Sequence, residues 1–143
     1  MKDQRTDYPT FWINQASRLL MRRFDDAMRP LGFGIAYLPV LMELEDGPKT
    51  QRALLNEIAV AQPTLTELLN RMERDSVIAR KPNPDDARSN LVHLTDTARE
   101  NFPIALDRLK GIADQALQGL ESEDCERLKR TLQQVCANLE SSS

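Results

Sequence analysis

The sequence predicts a mainly α-helical fold that carries one small β-hairpin, and three observations lead there. Apolar residues recur at spacings of three and four through most of the chain. One pair of β-prone runs brackets "PNPDDARSN", and that pair lies between long helical segments rather than beside further strands. At 143 residues the chain has the ordinary size of one domain, and residues 1–143 are read as such.

The first helix is "PTFWINQASRLLMRRFDDAMR", residues 9–29. Ile13, Ala16, Leu20, Phe24, Ala27 and Met28 share one face, and Pro9 suits a first helical turn, where its missing N–H has no partner to lose. "PLGFG" then breaks the helix. "IAYLPVLMELEDG" reads as a second, mostly apolar helix ending at Gly47, with Pro39 confined to its first turns. Thr50 caps a third, short helix over 51–59 that turns Leu54, Leu55 and Ile58 inward.

After a turn at 60–61, a fourth helix opens with Pro63 and buries Leu65, Leu68, Leu69 and Met72. Val77–Lys81 and Leu91–Leu94 are the hairpin strands, which puts Arg88 near the tip. From Thr95, as cap, a long helix runs through Phe102, Leu109 and Ala116 to Leu120, with Pro103 bending it or marking a late start. Ser122, Glu123 and Asp124 start a last helix, the hydroxyl capping and the acids meeting the positive end of the helix dipole. Its stripe is Leu128, Leu132, Val135 and Leu139.

Composition excludes several function classes. No apolar run approaches the roughly 18 residues needed to cross a bilayer, and no signal peptide is visible, so a soluble cytoplasmic protein with no membrane partner is expected. One histidine, five glycines and two separated cysteines supply no nucleophile with a base, no metal cluster and no phosphate loop, so no enzyme and no cofactor are expected. Cys125 and Cys136 lie about three turns apart on one helix and cannot bridge within it; they read as packing residues. His93 reads as a surface or packing residue on the outer side of its strand.

A net charge of −3 argues against a general polyanion binder. Charge placement keeps nucleic acid open, because Arg71, Arg74, Arg80, Lys81 and Arg88 outnumber Glu73, Asp75, Asp85 and Asp86 between residues 71 and 90.

The order helix, helix, short helix, helix, hairpin, long helix, helix is that of a winged helix-turn-helix module between terminal helices, with the DNA-binding lobe at 34–94. Burying the leucines of the fourth helix leaves Gln62, Thr64, Thr66, Glu67, Asn70 and Arg71 outward beside Pro63, side chains able to bond base edges or phosphates in a major groove. Arg88 on the adjacent hairpin suits the narrower minor groove, where the negative potential favours a guanidinium.

"QRALLNEIAVAQPTLTELLNRMERDSVIARKPNPDDARSNLVHLT", residues 51–95, resembles the MarR family of bacterial transcriptional regulators. Arg80, Asp86, Arg88, Val92, Leu94 and Thr95 match the family's hairpin pattern, and the flanking helix lengths agree. The resemblance implies a homodimer whose residues 8–30 and 95–140 form a helical dimerisation layer. It also implies a repressor on a palindromic operator, with residues 62–75 of each protomer in a major groove, Arg80 and Lys81 nearby, and Arg88 oriented by a paired hydrogen bond to Asp86. A small aromatic or phenolic effector is implied too, with Trp12, Arg18, Phe33 and Tyr37 as its candidate contacts. The alternative is a helical adaptor of the same fold with weak or no DNA binding. Three departures from the family stand out: Ala61 replaces a serine-like cap, at about 1 kcal/mol; Ser76 and Ala98 replace glycines; and Glu67 occupies a helix face often basic in relatives.

Overall fold

The computed structural model describes residues 4–141. After a short 3₁₀ turn, helix α1 spans Pro9–Met28 and α2 spans Leu38–Leu44, the latter preceded by a 3₁₀ turn at Ile35–Tyr37. Strand β1 is Lys49–Thr50, α3 is Gln51–Glu57 and α4 is Gln62–Arg74. Strands β2, Ile78–Asn83, and β3, Asp86–Leu94, precede α5, Asp96–Ala116, and α6, Ser122–Ser141. Residues up to Ile112 group into one compact unit and those from Ala113 onward into a second.

The first unit is organised by a single apolar cluster. Leu65, Leu69 and Met72 line the inner face of α4 and are fully buried, together with Met28, Val40, Leu41 and Leu54; Phe33, Ile78 and Val92 are buried to within 2%. Truncating one such leucine to alanine costs about 2–5 kcal/mol, so burial of the inner face fixes which residues of α4 face solvent.

The sheet has three strands in the order β1-β3-β2, all antiparallel. The sequence reads two of them. Lys49 and Thr50 pair opposite Val92 and Leu91, a bridge of two residues too short to leave a periodic signal. The hairpin is also longer than its polar composition suggests. Pairing continues from Ile78↔Leu94 out to Asn83↔Asp86, with an irregularity between Pro82 and Asn83. Pro82 is tolerated because β2 is an edge strand, where a missing N–H breaks no ladder bond. Arg88 therefore stands within β3 rather than at the tip, which is Pro84 and Asp85.

Two helix ends close by the same device. At the end of α4, Val77 N donates to the Met72 carbonyl at 2.9 Å and Ser76 N to the Glu73 carbonyl at 3.1 Å, a Schellman closure with buried Met72 and Val77 in apolar contact range. Ser76 has φ +59°, the left-handed conformation that favours glycine. After α1 the equivalent bonds are Phe33 N to Met28 O at 3.2 Å and Gly32 N to Arg29 O at 2.9 Å, with Gly32 at φ +89°. Ala98 requires no such freedom. It is a helical, buried residue of α5, and its amide donates to the capping Thr95 Oγ1 at 3.2 Å.

In the second unit α5 ends at Ala116, four residues short of Leu120, and Gly119 at φ +88° turns the chain towards α6. No described residue of α6 is buried. Leu117, Leu120, Leu128 and Leu132 line a shallow depression of about 600 Å³ with Cys125, which is half-buried. Cys136 is exposed, and both thiols are free.

His93 faces Ala79 across the sheet and is half-buried, not outward, with Nδ1 enclosed and unpartnered. Its pKa is lowered, first by desolvation and then by the positive charges of Lys81 and Arg99.

Two stability predictions follow from these features. Ser76→Gly should raise stability by roughly 0.5–1 kcal/mol, because relief of the left-handed strain exceeds the added chain entropy; calorimetry checks it. Because His93 binds its proton more weakly folded than unfolded, stability is fully present above the unfolded pKa near 6.5 and falls as pH drops from there through the folded value. His93→Gln should flatten the decline of Tm between about pH 7 and pH 5; an unchanged slope would remove His93 from that dependence.

Candidate nucleic-acid interface

Helix α4 begins without a side-chain cap, since Ala61 at the N-cap has only a methyl group, and Pro63 occupies its first turn. Gln62, Pro63 and Thr64 are exposed there. An uncapped helix start leaves backbone N–H groups and the positive dipole end directed outward, a setting that suits an anion.

Farther along, Glu67, Asn70 and Arg71 are exposed on the outer face, as the leucine pattern requires. Thr66 departs from that set. It is half-buried; its hydroxyl donates to the Gln62 carbonyl at 3.0 Å and accepts from Gln51 Nε2 at 2.8 Å. Thr66 therefore fastens the start of α3 to α4 and has no donor left for a base edge.

Arg80 also has a different position from the one expected. Its guanidinium donates to Asn70 Oδ1 at 3.3 Å from both terminal nitrogens and to Glu73 Oε1 at 3.0 Å. The side chain is only 23% exposed. Arg80 ties β2 to the outer face of α4, whereas neighbouring Lys81 is exposed. Asn70 keeps its amide NH₂ for other partners while its carbonyl is engaged.

The hairpin turn is held by its own polar side chains. Asn83 Oδ1 accepts from Asp85 N at 3.0 Å, and Asn83 Nδ2 donates to Ser89 Oγ at 3.1 Å. Asp86 Oδ1 accepts from the backbone N–H of Arg88 at 3.0 Å. The expected carboxylate–guanidinium pair is replaced by this local turn bond, because the backbone amide two residues on lies within reach of a short Asx side chain. Among the described residues the Arg88 guanidinium makes no hydrogen bond or ion pair.

Between α3 and the hairpin lies an open groove of about 490 Å³. Gln51 and Arg52 form one wall; Arg80, Arg88, Ser89 and Asn90 form the other. Arg52, like Arg88, has no hydrogen bond or ion pair among the described residues. Arg52 and Arg88 thus line one groove with Arg80 and a single carboxylate, Asp86, a locally positive surface on a chain of net charge −3. Sequence reasoning missed Gln51, Arg52, Ser89 and Asn90. The signal in the sequence is a basic residue at the second position of a capped helix whose leucines otherwise mark it as core-forming.

The four residues named for an aromatic effector are not gathered. Phe33 and Tyr37 are core, at 2% and 3% exposure. Phe33 packs edge-on against Phe102, with centroids 6.4 Å apart. Trp12 is 55% exposed, with its indole N–H donating to the Thr6 carbonyl at 2.9 Å. Arg18 is exposed on α1 and bonds Gln15. Neither cavity described above includes any of them. No cluster of three metal-ligating side chains occurs among the described residues, and no described helix is long and apolar enough to cross a membrane.

Comparison with known proteins places this geometry. Residues 31–89, from before α2 to the hairpin, match the model of the MarR family. The HTH-type transcriptional repressor IacR of Pseudomonas putida is 22% identical over 138 residues, 96% of this chain and 83% of that one. An uncharacterized HTH-type transcriptional regulator of Bacillus subtilis, YwoH, is 28% identical over 115 residues, 80% of this chain and 83% of its own length. The transcriptional repressor CouR, solved bound to a DNA duplex, superimposes with a TM-score of 0.78 over 95% of this chain and 98% of its own, at 19% identity. Over residues 31–89 the chain is similar to the MarR family, and over most of its length it is similar to HTH-type transcriptional regulators.

Proposed function

We propose that this protein binds a palindromic operator as a homodimer and represses transcription from it. The observation that carries the reading is the juxtaposition of the exposed polar face of α4 with the groove that Arg52 and Arg88 enter unpaired. Each protomer would insert α4 into a major groove, where Glu67 accepts from a cytosine amine and the Asn70 amide and Arg71 reach acceptors on base edges or phosphates. The groove between α3 and the hairpin would take the phosphate backbone, and Arg88 would reach the adjoining minor groove. Arg80 and Thr66 act inside the protein, holding those surfaces in register.

Dimerisation is proposed through the terminal helices. Leu128 and Leu139 of α6 are 41% and 67% exposed, and Leu19 of α1 is 50% exposed. Stripes of this kind on long helices are the usual material of a subunit interface. A small aromatic acid or phenol is the effector proposed with this reading. Of the residues considered for it, Trp12 and Arg18 are exposed, so its remaining walls must come from residues other than Phe33 and Tyr37.

Selection of bound duplexes from a random-sequence pool tests the operator. It should return an inverted repeat with half-sites about one helical turn apart or a multiple of it. Recovery of no preferred sequence, with no salt-dependent binding to any duplex, would favour a protein-binding adaptor instead.

With the selected duplex in hand, Arg52→Ala and Arg88→Ala should each leave Tm unchanged and weaken binding, and each should lower the salt slope by about one counterion per protomer. Glu67→Ala should instead change preference at particular base pairs by roughly 1–3 kcal/mol. Leu132→Asp should convert the dimer to monomer by burying an unpaired charge; a dimer retained on sedimentation would exclude α6 from the interface.

A further inference from the structure

Arg71 and Arg80 flank Asn70, and they are held in opposite ways. Arg80 spends its N–H groups on Asn70 and Glu73. Arg71 makes no hydrogen bond or ion pair among the described residues; its guanidinium carbon lies 5.9 Å from the centroid of the Tyr37 ring. A cation held against a π face is restrained in orientation while its donors stay free for another partner. An exposed arginine otherwise loses substantial side-chain entropy when it binds a phosphate or base, so such a restraint lowers the cost of contact.

Tyr37 is itself buried and hydrogen-bonded. It is 3% exposed in the 3₁₀ turn before α2, and its hydroxyl donates a hydrogen bond to Asp75 Oδ2 at the C-cap of α4. The same ring therefore touches the guanidinium of Arg71 and, through its hydroxyl, the residue one helical turn beyond it. Ser76 follows with its strained φ, and its carbonyl accepts from Thr95 Oγ1 at 2.7 Å, so this end of α4 is fixed from two sides.

We infer that Tyr37 is a positioning residue for DNA recognition: its ring presets the Arg71 guanidinium for an anionic or acceptor group on DNA, while its hydroxyl bond to Asp75 contributes to the stability of the fold. The inference rests on the DNA-binding reading above and adds to it a buried residue that never touches DNA.

Affinity for the selected duplex, measured for Tyr37→Leu, Tyr37→Phe, Arg71→Ala and the double variant Tyr37→Leu/Arg71→Ala, tests it. Tyr37→Leu should weaken binding about two- to fivefold, the worth of a cation–π contact. In the Arg71→Ala background the same change should cause no further loss. Tyr37→Phe keeps the ring and should retain nearly full affinity while lowering Tm. A purely structural role would give equal losses with and without Arg71, and that additivity would overturn the inference while leaving DNA binding intact. Wild-type protein that binds no duplex would overturn both. Should Tyr37→Leu fail to fold, the wild-type NMR spectrum decides: the Arg71 δ-protons should be shifted upfield of those of Arg74 by the ring current, and equal shifts would overturn the contact.

Discussion

The bridge from Arg80 to Asn70 and Glu73 is the interaction on which the candidate interface depends. A hairpin joined to a helix by a short turn could pivot at that turn, and its arginines would then sample many positions relative to α4. One guanidinium with three donor contacts across the junction, backed by buried Ile78 and Val92, makes the two elements a single rigid surface. Glu73 is 43% exposed, so much of the Coulomb gain is screened by water, and the value of the bridge is geometric rather than energetic. An ion pair that contributes little to stability can still set the register of two elements.

Arginines in this lobe divide into those that build the surface and those left to act on it. Arg80 is committed to a carboxylate and an amide, Arg71 to a ring, and Arg52 and Arg88 to nothing among the described residues. Uncommitted cations on a protein of net charge −3 are steered by local rather than overall field. Asp86, the acid nearest Arg88 in sequence, is occupied by a backbone amide and so does not quench the guanidinium with a matched hydrogen-bonded pair.

Much of this fold was legible in the sequence, because caps and periodicity are local signals. Thr50, Thr95 and the leucines of α4 stand where their chemistry requires. What was not legible arises from pairing across distance. Polar residues from Pro82 to Asn90 look like a loop by composition, yet β2 and β3 pair with each other out to Asn83 and Asp86, where Asn83 bonds Ser89 and Asp86 bonds the Arg88 amide. Phe33 and Tyr37 look like ligand contacts because aromatic side chains serve both roles, and only burial separates them. At Thr66 the face of the helix was right, but no local pattern reveals that Gln51 would claim its hydroxyl. Arg52 carried no motif at all.

The central claim is that DNA meets one continuous surface made of α4, the start of α3 and β3. Titration of isotope-labelled protein with the selected duplex, followed by NMR of backbone and arginine side-chain signals, tests it most directly. The account predicts perturbation of Glu67, Asn70, Arg71, Arg52 and Arg88, with the indole signal of Trp12 on α1 unmoved. Perturbations centred on Trp12 and Leu19, with Arg52 and Arg88 unchanged, would contradict it.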